Sequence, residues 1–577
     1  FDWVLGSPGP GVAADLFSVR WVGQVEARFT ETYTFRTSTD DGVNLWVNGV
    51  QLVAQYRDQA LTSHQGSIAL VEGQKYDLMM EYYEKTGYAL AKLEWSSPST
   101  PWEVIPASQL YSPPPQITIP GTFAGQTIAT GLSGPTALDF DSTGRMFVAE
   151  QRGVVRVVQD GQLLAQPFLD IQPQVNFIQD RGMIGLAVHP DFPATPYVYV
   201  SYVYDPPETA NFTGLAGRDG GGNRVSRVSR FTADAAAGYN RAVPGSEVVL
   251  IGANGTWNNI SHPELDSTND INIPATGGPD GSMQDILIID TLTHAVGNLV
   301  FGPEGALYVA NGDGASYGRV DPRAVRVQNI DSLSGKILRV DPITGQGLPS
   351  NPYYNGDPDA NRSKVVNYGL RNPFRFAIQP DSGTLFVGDV GWNTHEEINS
   401  GWAKNFGWPY YEGIQGQNAQ TGGYNTLATA AAFYANNNAV PPLWSRSHAA
   451  GGGAIVVGGL FTGTAYPEQY RGALFFSDFG DNQLRYLRVN EDGSLRSIAP
   501  LNLNVGPVVE MSMGPDGFMY YVDISGKIGR LTFTPTTAVA AAALPGSAGD
   551  ANGDGPVDGG RFRAWQRKNA PARPGPA

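Results

Sequence analysis

The sequence predicts an all-β protein: a β-sandwich, then a six-bladed β-propeller, then a short C-terminal tail. Three observations carry this. Glycine (71) and proline (42) are abundant among 577 residues, aromatics reach 11% and charged residues only 16%, a profile of many strands joined by tight turns. Residues 1–111 alternate apolar and polar positions in several runs, the period-2 pattern of half-buried strands. Beyond them a strand–turn–strand unit recurs six times, and radial repetition of such units leaves only short strand edges unprotected.

The same composition excludes several functions. A net charge of −16 argues against nucleic acid or anionic membrane as a partner, because both reward basic patches. No apolar run reaches the ~18 residues that span a bilayer, so no transmembrane segment is expected. The absence of cysteine removes disulfides, thiol catalysis and Cys-ligated zinc. The chain begins at Phe1, and a cleaved secretion signal would account for the missing methionine.

In the first segment, 1–111, FTETYTFRTSTDDGVNLWVNGVQLV turns at Asn48-Gly49, a strong hairpin signal. Further strands follow in GSIALVEGQKYDLMMEYYEK and YALAKLEWSS. Residues 112–120 form a stiff, proline-rich linker. The second segment, 121–533, carries the repeat. GPTALDFDSTGRMFVAEQRGVVRVV, HAVGNLVFGPEGALYVANGDG, RNPFRFAIQPDSGTLFVGDV and VVEMSMGPDGFMYYVDISGKIGRLTF each join an apolar strand to a second one through an acidic Gly turn. MIGLAVHPDFPATPYVYVSYVYD and RGALFFSDFGDNQLRYLRV are looser copies. Insertions at 205–222, 252–285 and 410–445 are rich in Gly, Asn and Pro and read as loops over one face. Residues 534–549 are a small-residue linker, and 550–569 form the tail.

These blocks resemble known families. The run NYGLRNPFRFAIQPDSGTLFVGDVGWNTHEEIN, 367–399, with the repeats around it, resembles the soluble glucose/sorbosone dehydrogenases, six-bladed propellers that use pyrroloquinoline quinone (PQQ). Residues 1–111, through Thr39-Asp40-Asp41-Gly42 and Leu45-Trp46-Val47-Asn48-Gly49, resemble a PA14 domain, a sandwich often attached to carbohydrate-active and adhesive proteins. That resemblance implies a Ca²⁺ ion held by Asp40 and Asp41 and completed by a glycan's hydroxyls. Paired carboxylates are suitable hard ligands, and such residues also commonly cap turns. Residues 550–569 resemble a single, degenerate dockerin-type calcium repeat with Asp550, Asn552, Asp554 and Asp558 as ligands. Arg561 stands at the last ligand position, where a cation opposes calcium.

The dehydrogenase resemblance implies a site on the propeller's upper face. His294, in THAVGNLVFGPEG, matches the base that takes a proton from the sugar's anomeric hydroxyl while hydride passes to the quinone. A histidine's near-neutral pKa suits that role. Thr293 precedes it where the family has an orienting aspartate, leaving a backbone carbonyl as the substitute. Arg371 and Asn372 match the pair that faces quinone and substrate, and a guanidinium fork suits the carboxylates of PQQ. Asp180, Arg181 and His448 are implied as further cofactor contacts. Carbonyls of Gly391 and Trp392, with Glu396 and Glu397, match the family's Ca²⁺ site. The lysine and two arginines that anchor the quinone in classical members are Gly480, Pro507 and Val509 here, so Arg181, Arg446 or Arg485 would have to compensate.

Two functions follow. One is a secreted or periplasmic, bacterial-type sugar/aldose oxidoreductase using PQQ and Ca²⁺. The other is a non-catalytic carbohydrate-binding or adhesion protein that has lost the cofactor and attaches to a glycan or cell surface through PA14. A propeller hydrolase or lactonase finds no concentrated His/Asp/Glu constellation here, and fold analogy alone does not carry it.

Overall fold

The computed structural model describes residues 1–536 apart from 5, 8–13, 49, 112–119, 279, 414–419, 437 and 491–492. The proline-rich linker, nearly all of the 534–549 linker and the dockerin-like repeat therefore lie outside the described residues. Phe1–Pro120 belong to one compact unit and Gly121–Pro535 form another.

The first unit is two antiparallel sheets. One runs Asp2–Val4, Ala89–Ser97, Glu31–Asp40, Thr62–Leu70, with Thr100–Val104 added on Ala89–Ser97; the other runs Leu110–Tyr111, Phe17–Glu26, Lys75–Glu84, Gly42–Val47, Val50–Gln55. The period-2 pattern is realised in Glu31–Asp40, where Tyr33, Phe35, Thr37 and Thr39 are buried and the residues between them are not. The inward faces meet in a core that includes Tyr33, Phe35, Leu45, Met80, Tyr82 and Trp95. Burying each such side chain stabilises the sandwich by roughly 1.5–3 kcal/mol. Val47 pairs with Val50, and Asn48 between them has φ 50°, the left-handed value that a two-residue hairpin demands.

The second unit is six antiparallel sheets arranged as propeller blades. Blade 1 is Pro135–Phe140, Met146–Glu150, Val154–Gln159 and Gln162–Leu163; blade 2 is Met183–Val188, Tyr197–Tyr204, Arg224–Thr232 and Val248–Ile251. Blade 3 is Val296–Phe301, Leu307–Asn311, Lys336–Val340 and Val365–Tyr368; blade 4 is Arg375–Ile378, Leu385–Asp389, His395–Ser400 and Trp444–Ser447. Blade 5 is Ile455–Leu460, Leu474–Asp478, Gln483–Val489 and Leu495–Asn504. Blade 6 takes Val508–Met513, Met519–Asp523 and Lys527–Pro535 from the end of the unit and Gly121–Thr130 from its start. That pairing closes the ring and removes the free edge at the seam. One repeat differs from its reading in sequence: RGALFFSDFGDNQLRYLRV supplies the second and third strands of blade 5, and the first comes from AIVVGGL upstream.

The first strands of successive blades contact one another around the axis, and Arg375 bolts them together. It is 0% exposed. Its Nε donates to the Val509 carbonyl (2.9 Å) and its Nη2 to those of Thr136 (2.7 Å) and Ile184 (3.1 Å), so one side chain of blade 4 reaches blades 6, 1 and 2. Glu510 sits 2.8 Å from Nε as counter-charge.

Because each blade is an up-and-down sheet, entry to its first strand and the turn from second to third strand fall at the same end. His294, Asp180 and Arg371 precede first strands, while Asp313, Gly391 and Gly480 follow second strands. The topology alone therefore gathers them on one face.

Candidate functional site

His294 enters blade 3 with φ 56°, a strained value for a non-glycine residue, and is 4% exposed. Its Nδ1 lies 2.8 Å from Oδ1 of Asp313. Oδ1 also accepts from the Ala315 amide (2.8 Å), and Oδ2 accepts from Trp408 Nε1 (2.8 Å). Gly312 allows this approach, because a Cβ there would run into the His294 carbonyl. The partner expected from Thr293's position, a backbone carbonyl, is thus replaced by a carboxylate 19 residues on. Nothing at 293 signals it; the acidic NGDG turn after the next strand was the available clue.

With Asp313 accepting, Nδ1 carries the proton and Nε2 is left as an acceptor. Burial, then the charge of Arg371, lowers the His294 pKa against the opposing pull of Asp313 and Asp180. The imidazole is therefore neutral at pH 7 and able to take a proton. Burial alone would raise the Asp313 carboxyl, but His294 and Arg371 hold it below the ordinary range.

Arg371 is 5% exposed and its Nη1 donates to the carbonyls of Val390 (2.8 Å) and Gly391 (2.7 Å). Its Nε is buried without a partner among the described residues, and its guanidinium lies 5.6 Å from the Trp408 ring centroid. The Arg371 and Asn372 amides donate to Asp389, whose carboxyl burial pushes up to about 7. Asp180 stands exposed on the rim. Its neighbour does not join it. Arg181 is 0% exposed and donates to the carbonyls of Thr291 and Gly222, so it braces loops and cannot reach a ligand. His448 spends its Nε2 on Glu396 Oε1, 2.7 Å away, a hydrogen bond that raises its pKa.

Nor do Gly391, Trp392, Glu396 and Glu397 converge as one metal shell. Glu396 and Glu397 are successive residues of one strand, so they leave opposite faces of the sheet. Glu396 accepts from the Ile455 amide as well as facing His448, whereas Glu397 accepts from the amides of Gly413 and Asn399's side chain. The Gly391 carbonyl is taken by Arg371. Burial, then Asp389, pushes the Glu397 carboxyl up to about 8. Glu412, missed in sequence because it lies on the 410–445 insertion, accepts with Oε1 from the four amides of 392–395.

On blade 5, Arg446 Nη1 lies 3.1 Å from Asp478 and 2.6 Å from Asp481, and Arg485 Nη2 lies 2.5 Å from Asp481. Both arginines are therefore engaged. At Gly480 there is no room for any longer residue, because a Cβ would sit 2.7 Å from backbone atoms of Gly452 and Gly453. A tricarboxylate quinone needs several free cations. Among the described residues Arg371 keeps a buried Nε without a partner, whereas Arg181 is spent on loop carbonyls and Arg446 and Arg485 are ion-paired to Asp478 and Asp481. These residues do not fit PQQ, because each unpaired buried carboxylate would cost several kcal/mol.

In the sandwich, Asp40 and Asp41 are joined by a third carboxylate, Glu84, with one oxygen of each within 4.8 Å of the others. Glu84 is 1% exposed and its Oε1 has no partner among the described residues. Burial, then mutual repulsion, raises the Asp40 and Glu84 pKa values. Three hard oxygens and an orphaned buried acceptor fit a Ca²⁺ ion. Glu84 escaped the sequence reading because it lies on a strand that is distant in the chain.

Six blades in a closed ring, with His294 and Arg371 at strand entries on one face, place the protein in the class of six-bladed β-propellers. The chain belongs to the Glucose / Sorbosone dehydrogenase family, which matches residues 132–253 and 286–532, and it carries a PA14 domain matching 1–109. Aldose sugar dehydrogenase YliI of Escherichia coli is 24% identical over 415 residues, covering 71% of this chain and 92% of that protein. Anti-sigma-I factor RsgI3 of Acetivibrio thermocellus is 50% identical over 127 residues, or 22% of this chain, and the match spans only 20% of that relative's length. The PQQ-bound aldose sugar dehydrogenase structure from Streptomyces coelicolor shares 20% identity at a TM-score of 0.48, covering 73% of this chain and 100% of that one.

Proposed function

We propose that this protein binds carbohydrate on a sugar-dehydrogenase propeller that no longer seats the quinone. The observation that carries it is Gly480, where backbone of the Gly452–Gly453 loop fills the space a cationic anchor would occupy. The mouth that remains offers a neutral imidazole Nε2, the Asn372 side-chain amide, which has no hydrogen-bond partner among the described residues, and the rim carboxylate of Asp180, groups that hydrogen-bond sugar hydroxyls. The PA14 sandwich adds a second contact, with Ca²⁺ held by Asp40, Asp41 and Glu84 and a glycan's hydroxyls completing the shell. Such a protein works outside the cytoplasm, secreted or periplasmic.

A second reading, a sugar dehydrogenase, is favoured by the His294–Asp313 pair, which is arranged as a general base and its orienter. Calorimetric titration with a panel of aldoses, and separately with PQQ plus Ca²⁺, separates the two. Sugar binding without quinone binding at micromolar concentration supports the first. Quinone binding with sugar-dependent dye reduction, abolished by His294→Ala, supports the second and overturns the first.

A further inference from the structure

We propose that a groove beside the mouth, at the loops of blades 1 and 2, is a subsite for an anionic sugar and takes the carboxylate of a uronic acid residue. This rests on the carbohydrate-binding reading above and names a ligand class for it. The groove has a volume of about 530 Å³ and is lined by Arg152, Gln172, Phe177, Arg218 and the acids Asp170 and Asp219. A smaller cavity of about 230 Å³ adjoins it, sharing Arg152 and Gln172.

Arg152 and Arg218 are both exposed. Among the described residues neither guanidinium makes a hydrogen bond or an ion pair, although the other arginines that order this face do. Asp170 accepts from the Gln172 amide and side chain, and Asp219 accepts from the Phe177 amide while its charge also lies near Arg218 and Arg152 without a direct ion pair to either. What the groove leaves without a direct hydrogen bond is a pair of guanidinium forks, the geometry that grips a carboxylate.

Both arginines stand on anchored backbone. Arg152 lies on the turn that follows Met146–Glu150 and stacks 4.1 Å from the Phe177 ring centroid. Arg218 sits on the 205–222 insertion, which is anchored from below by Arg224, 0% exposed. Arg224 pairs with Asp205 at 2.6 Å and donates to the Gly217 carbonyl at 2.8 Å, while the Asp219 amide donates to Asp205 at 2.7 Å. The groove is tied through the chain to the segment that carries Asp180. Gln151, next to Arg152, donates to the carbonyls of Gln179 (2.6 Å) and Arg181 (2.8 Å), which bracket Asp180. An acidic sugar in the groove can thus set its carboxylate between Arg152 and Arg218, beside the segment that carries Asp180.

The test uses the full chain and calorimetry with trigalacturonate, its methyl-esterified neutral form, and inorganic sulfate. The acid is expected to bind about 10-fold more tightly than the ester, as one charge-assisted bidentate contact provides, and to weaken with salt. In Arg152→Gln and Arg218→Gln, melting temperatures checked alongside, the acid-to-ester ratio should fall toward one. Equal affinity for acid and ester, a ratio untouched by both substitutions, or sulfate binding as tightly as the trisaccharide overturns the subsite. If aldoses still bind while trigalacturonate does not, the subsite alone falls; if neither binds, the carbohydrate reading falls with it.

Discussion

His294 depends on one neighbour for its chemistry. Asp313 fixes the Nδ1–H tautomer, so Asp313→Asn should weaken sugar binding about 10-fold and lower the His294 pKa further, since the lost carboxylate was raising it; calorimetry and histidine ¹⁵N shifts read both. Asp481 is the opposite case, a carboxylate serving stability. Arg485, the Gln483 amide and Arg446 outweigh burial and bring it down from 3.8 to about 2. A depressed folded pKa stabilises above the unfolded value and is lost as pH falls through the folded one. Asp481→Asn should therefore cost about 2 kcal/mol at pH 7, and the gap to the parent should narrow between about pH 4 and pH 2 in urea denaturation. That His294, Arg371 and Asn372 stand at strand entries was legible in sequence, because strand, turn and residue type lie together there. Asp313, Trp408, Glu412 and Glu84 were not, because their roles arise only when distant strands and an insertion fold back.

At the scale of elements, the turn between two strands decides what each blade can do. On blade 5 the Gly452–Gly453 loop packs onto Gly480 while Arg446 and Arg485 are drawn to Asp478 and Asp481. The residue types at Gly480, Pro507 and Val509 were readable in sequence; that Arg446 and Arg485 are ion-paired to Asp478 and Asp481 required the fold. In the sandwich, the strand carrying Glu84 pairs with the one after Asp40-Asp41, which brings three like charges together. Glu84→Gln should raise stability in EDTA by relieving that repulsion, yet shrink the Ca²⁺-induced rise in melting temperature, the linkage expected when a ligand residue is lost. Calorimetric melts with and without Ca²⁺ test both signs.

For the molecule as a whole, the ring is closed twice: at the rim by Gly121–Thr130 on Lys527–Pro535, and at the axis by Arg375. Six repeats were visible as period and turn chemistry, and they fixed the propeller without any tertiary information. Arg375 was not singled out, since RNPFRF reads as an ordinary strand entry and only the closed ring converts it into a bolt. Arg375→Ala should cost about 3–5 kcal/mol, because Glu510 and carbonyls from three other blades lose their partner; thermal melts and limited proteolysis of the propeller check this. The central claim is that the family's fold and mouth persist without a seat for its quinone. Isothermal titration of the purified full chain with PQQ in the presence of Ca²⁺ tests it most directly: the account predicts no binding at micromolar concentration, and saturable micromolar binding would contradict it.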